Sequence, residues 1–142
     1  MARVTFELPE QFQFSTEIAV RISDINYGGH LGHDSIISLI HEARLRFLKA
    51  YGFTEADIDG FGLIMVDLAI LYKAEAFYGE ILTIEVGAHD FNKYGCDFVY
   101  RITSKDTGKE VARAKTGVLI FDYERRKVAG VPERFKTAFT SQ

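Results

Sequence analysis

The chain reads as an α+β domain spanning residues 1–142, in which one long central helix is wrapped by a curved antiparallel sheet of about five strands. Three observations lead to this reading. The apolar period is two before residue 24 and again beyond residue 62, whereas from Asp34 to Tyr51 it is that of a helix. The later strand-like segments are long and joined by short turn-forming stretches, the mark of an antiparallel meander. Finally, 142 residues, 47% of them hydrophobic, are enough for one real core and too few to expect two.

The first strand is expected over Ser15–Ser23, STEIAVRIS, where Ile18, Val20 and Ile22 alternate with Glu17, Ala19 and Arg21. A glycine-rich turn follows. Ile36, Ile40, Ala43 and Phe47 then keep the i, i+4, i+7, i+11 spacing of a helix face, flanked by Ile37, Leu39 and Leu48. Gly52 stands where a left-handed C-terminal cap belongs. A helix of about 18 residues is about 27 Å long, and an apolar arc this wide must be covered. The cover is supplied by LIMVDLAILYK (63–73), ILTIEVGAH (81–89), CDFVYRITS (96–104) and EVARAKTGVLIFD (110–122), all rich in β-branched and aromatic residues. FYGE, NKYG and KDTGK separate them as turns. The tail VPERFKTAFTSQ is expected to add one short helical turn.

Composition narrows the function. A net charge of −3 without a Lys/Arg-dense run argues against nucleic acid as partner, since that binding needs a basic surface. No 18 apolar residues run together, and MARVTFELPEQFQF has no signal-peptide core, so a cytoplasmic protein with no membrane association is expected. Cys96 stands alone, without a CxxC partner, and reads as a half-buried strand cysteine.

Three of the four histidines and several acids crowd into DINYGGHLGHDSIISLIHEARLRF, Asp24 to Phe47. Gly28, Gly29 and Gly32 sit between strand and helix, where glycine permits positive φ and close approach. The first helical turn adds unpaired N–H donors, so the junction suits a developing oxyanion. A tight connection would need the glycines anyway. Ser35, Ser38 and Glu42 fall on one stripe at the border of the apolar arc. Glu42 is there either a desolvated general base or a solvated partner of Arg46 at i+4. His30, His33 and His41 could ligate a metal, but His41-Glu42 lacks the second histidine of HExxH, because Leu45 occupies that place, and no metal site is expected. No GxSxG occurs. Asp34 suits the start of the helix.

The stretch RISDINYGGHLGHDSIISLIHEARLRFLKAYG resembles the opening of hotdog-fold acyl-CoA thioesterases of the 4-hydroxybenzoyl-CoA thioesterase-like superfamily, with their D-x-D or D-x-N strand end, G-H turn and E-A-R helix. One branch of that family places its acid second in D-x-D. Asn26 stands there in this chain and cannot serve as nucleophile or base, unless Asp24 takes the role. The other branch places the acid on the helix, nine residues after a turn histidine, which matches His33 to Glu42. The resemblance therefore implies thioester hydrolysis with Glu42 as the acid, and Asn26 with His30 or His33 orienting water or the carbonyl. It also implies a homodimer or a tetramer of dimers with sites between subunits, and no cofactor beyond the coenzyme A of the substrate. For the coenzyme A phosphates, Arg113 and Lys115 on one strand face, and Arg125 and Arg126 in a basic turn, are the candidate cations. Tyr72, Phe77 or Phe91 would shape the end of the acyl site. Two other functions stay open: a hydratase or dehydratase using a His with an acid, and a non-catalytic acyl-CoA binder.

Overall fold

A computed structural model of the chain describes residues 1–140. Its elements are β1 (Phe14–Ala19), α1 (Ser35–Ala50), β2 (Gly62–Tyr72), β3 (Ile81–His89), β4 (Gly95–Ser104), β5 (Glu110–Asp122), β6 (Lys127–Val128) and α2 (Glu133–Thr140). All pair antiparallel in the order β1-β3-β4-β5-β2, with β6 beside β5. The sheet thus holds the five expected long strands and a two-residue β6, formed where the basic turn after β5 folds back as a hairpin.

Register decides which residues meet the helix. Phe14, Val86, Tyr100, Ala114 and Ile70 form one row across the five long strands. Val86, Tyr100 and Ala114 in that row are fully buried beneath α1, whose Ile36, Leu39, Ile40, Ala43, Phe47 and Leu48 are buried in turn. Phe47 is the centre of an aromatic cluster, with ring centroids 5.6 Å from Phe14, 5.3 Å from Tyr51, 6.0 Å from Phe98 and 5.0 Å from Phe139. At 4.5–7 Å such rings add attraction beyond the area they bury.

Three expectations need correction. The first strand ends at Ala19, and Ile22 is exposed rather than inward, because Asp24 accepts from the Arg21 amide and pulls residues 22–24 into a 3-10 turn. The tail forms two helical turns instead of one, because Phe135 and Phe139 find Phe53, Phe47 and Phe91 to bury against; residues 141–142 of that segment lie outside the described residues. Cys96 is buried rather than half-buried, and burial pushes its thiol well above the ordinary range, so it is inert.

One strand stays unfinished. β2 pairs only with β5, and its free edge exposes Met65, Val66, Leu68 and Tyr72. A bulge at Val66 brings Met65 and Leu68, opposite Val118 and Thr116, to the same helix-facing side. Among the described residues no helix is long and apolar enough to cross a membrane.

Candidate active site

Between the 3-10 turn and α1, Asn26 organises the loop. Its Oδ1 accepts from the Gly28 amide at 2.9 Å and the His30 amide at 3.4 Å, while its backbone N–H donates to His30 at 2.9 Å. A side-chain oxygen that captures amides two and four residues on is a strong turn former. Gly29 takes φ +86°, and a Cβ on Gly32 would lie 2.7 Å from Asp34 Oδ1, the atom that caps Ser35. The glycine amides are used inside the loop: Gly29 donates to Asn26 O and Gly32 to Asp24 O. The amides of His33 and Asp34, directly before α1, have no acceptor among the described residues, nor do those of Tyr27 in the loop and Ile36 in the first helical turn.

The loop is anchored to the end of β2, where Leu31 donates to Ala76 O and the Tyr72 hydroxyl donates to His33 O at 3.0 Å. Between them opens a cleft of about 340 Å³, lined by Asn26, His30, His33, Ile36, Tyr72 and Glu75 among others. His30 Nε2 lies 3.8 Å from Glu75 Oε1. Of the expected acyl-site aromatics only Tyr72 is here; Phe77 is exposed and Phe91 lies against Phe135 under α2.

Glu42 stands elsewhere. Its side chain is 51% exposed on the outer face of α1 and accepts from Arg46 Nε at 2.9 Å, and Arg46 reaches on to Thr16 Oγ1 and Glu17 O of β1. Within one chain it does not line the cleft. Asp24 is buried with both carboxylate oxygens held by Arg21. Burial raises its pKa, but the Arg21 hydrogen bonds and charge outweigh this and hold the carboxyl below its usual range. The folded state then binds that proton less readily than the unfolded chain, so Asp24 stabilises above the ordinary carboxylate pKa and this is lost as pH falls through its lowered folded value. Asp24→Asn is accordingly expected to cost about 1–2 kcal/mol at pH 7, with the gap to the parent closing below pH ~4; urea melts at several pH values measure both.

The expected cations are all engaged. Arg113 forks onto Glu110 at 2.6 and 2.7 Å, and Lys115 contacts Asp67 at 2.8 Å and Asp97 at 3.2 Å. The most exposed is Arg125, which stands 3.9 Å from Asp122, and Arg126 lies over the Phe121 ring. Arg113 sits opposite Leu71, near the cleft, whereas the Arg125-Arg126 turn follows Asp122 at the far end of β2, beside Gly62.

Sequence reasoning missed two features. Among the described residues Glu75 is the one carboxylate lining the cleft, and its only signal was a place just beyond a strand. Beneath α1, Arg44 is 5% exposed, donating to Glu55 at 2.8 Å and to the Tyr100 hydroxyl at 3.0 Å, with Tyr100 and Thr116 oxygens 2.9 Å apart. His41 Nε2 meets Glu55 at 2.8 Å, so this histidine belongs to that network and not to the turn. Burial pushes the Glu55 carboxyl up, but the His41 and Arg44 hydrogen bonds hold it below its usual range.

Comparison with known proteins places this geometry in context. A model of the Thioesterase-like superfamily matches residues 20–139. YneP of Bacillus subtilis (strain 168), provisionally named an acyl-CoA thioesterase, is 26% identical over 125 residues, 87% of each chain. The crystal structure of Slr0204, a 1,4-dihydroxy-2-naphthoyl-CoA thioesterase from Synechocystis, gives a TM-score of 0.81 at 23% identity over 89% of this chain and 94% of that one. SAV2348 from Staphylococcus aureus, solved in complex with CoA, gives 0.82 at 16% identity over 96% and 87%. The observed helix-on-sheet architecture is thus the hotdog fold.

Proposed function

The chain belongs to the thioesterase-like superfamily, and on that premise we propose that it is an acyl-CoA thioesterase, hydrolysing the thioester to a free acid and coenzyme A. The observation that carries this reading is the Asn26-organised loop, which brings the unpaired amides of His33 and Asp34, at the start of α1, to the edge of a cleft. Placed against the thioester oxygen, two N–H donors and the positive end of α1 stabilise the charge that develops when the carbonyl carbon is attacked. Glu42 supplies the carboxylate, activating water or attacking directly. Water adds to the carbonyl carbon, the C–S bond breaks, and the thiolate leaves and is protonated.

Because Glu42 lies outside the cleft of its own chain, the complete site needs a second copy. An 11-residue edge strand with apolar side chains exposed is a template for pairing. Antiparallel β2–β2 pairing about a two-fold axis carries the Arg125-Arg126 turn of one copy toward the other's Tyr72 end, where phosphates of coenzyme A would meet these two exposed arginines. Mixing the protein with short, medium, long and aromatic acyl-CoAs and following free thiol is expected to give turnover, from a species that elutes as a dimer or larger. Acyl-CoA that raises the melting temperature without thiol release would instead mean a binding protein. A second reading, hydration of an unsaturated acyl thioester, draws on the His30–Glu75 pair; loss of enoyl absorbance without thiol release would select it.

A further inference from the structure

A small slot opens on the β2 side of α1, separate from the turn cleft. Its volume is about 110 Å³, and it is lined by Ile37, Ile40, Met65 and Leu68 together with Arg44, His41 and Thr116. The walls are apolar and the end is not. Arg44 spends one N–H on Glu55 and one on the Tyr100 hydroxyl, so three of the five N–H groups of a guanidinium have no acceptor among the described residues. Thr116 Oγ1 lies beside them, joined to Tyr100 at 2.9 Å.

Slot and cleft lie along the same side of α1 and β2. On β2 the helix-facing residues run from Tyr72, in the cleft, through Ile70 to Leu68 and Met65, in the slot. On α1 the distance from Asp34 to His41 is seven residues, about 10 Å. A thioester whose carbonyl rests at the start of α1 and whose acyl group runs along this side of the helix would reach the polar end of the slot.

Resting on the thioesterase reading above, we propose that this slot selects acyl groups about 10 Å long whose far end carries a neutral oxygen, a hydroxyl or a carbonyl, received by Arg44 and Thr116. A carboxylate end is disfavoured, because Glu55 already balances the Arg44 charge at 2.8 Å and would repel it. A plain alkyl end would cover donors that need an acceptor, which costs free energy for every group left unpaired.

The test compares 8-hydroxyoctanoyl-CoA with nonanoyl-CoA, which differ by a hydroxyl in place of a methyl. In an ordinary apolar site the methyl is preferred, since a hydroxyl loses its water. The expected result is a kcat/KM at least about fivefold higher for the hydroxylated substrate. Thr116→Val, close in shape and remote from the cleft, is expected to reduce that ratio severalfold; Arg44→Lys, if folded by circular dichroism, is expected to abolish the preference. Preference for nonanoyl-CoA in the parent, or a ratio untouched by Thr116→Val, overturns the proposal. If neither substrate releases thiol, the hydrolase reading fails by itself, and the slot is judged by melting temperature: a larger rise with 8-hydroxyoctanoyl-CoA, lost in Thr116→Val, upholds the selectivity, and an equal or smaller rise ends it.

Discussion

Glu42→Gln is expected to lower thiol release from acyl-CoA by about 10²-fold or more, with the melting temperature nearly unchanged. The two halves of this result follow from different facts. Glu42 is half exposed, and its pairing with Arg46 is a surface i, i+4 contact of a kind that contributes only about 0.3–0.5 kcal/mol. Stability therefore hardly depends on it. Activity does if its carboxylate faces the cleft of a second copy. Running Glu75→Gln beside it separates two architectures. Should Glu75→Gln abolish release while Glu42→Gln leaves it intact, the acid is the one that lines the cleft within the same chain, and the role assigned to Glu42 is lost. Asn26→Ala is a third member of the set: it removes the acceptor of the Gly28 and His30 amides, so it should impair turnover by loosening the loop without removing any reacting group.

Phe47→Ala is expected to destabilise by about 3–5 kcal/mol, the largest effect of any single substitution in the core, and to lower the melting temperature by roughly 10 °C. Phe47 is fully buried and touches rings contributed by β1, β4 and α2 as well as Tyr51 at the end of its own helix. Its loss leaves a void that four rings from separate elements cannot close, because each is fixed by its own strand or helix. Calorimetry of the parent and variant measures the loss. A drop under about 1 kcal/mol would mean that the cluster repacks, and that α2 contributes little to the stability of the fold.

Much of the architecture was legible because it depends on local periodicity. The α1 bounds, the four long strands and the cap at Gly52, which takes φ +83°, follow from apolar spacing and turn chemistry read over a dozen residues at a time. Ile22 shows where such reading stops. Alternation continued through it, but a hydrogen bond from the Arg21 amide to Asp24 outweighed the pattern and turned the chain. The Phe135-Phe139 spacing hinted at α2, and only the presence of Phe53 and Phe91 opposite made two turns worth forming. In the site, Asn26 was visible as the residue where an acid was expected, whereas its use as the organiser of the loop, taking the Gly28 amide for itself, was not. Arg44 read as part of a helix motif; its burial against Tyr100, 56 residues away, has no trace in local sequence.

The sequence by itself determined the element order, the helix face, the glycine turn and the family, since each is written in neighbouring residues. Tertiary structure alone decided which amides stay free, that Glu75 enters the cleft, that Glu42 turns outward, and that an apolar slot ends on Arg44 and Thr116. These are outcomes of strand register and helix rotation, which bring residues from distant parts of the chain within 3 Å to 4 Å of one another, and the physics of pairing acts on that distance and not on separation along the chain.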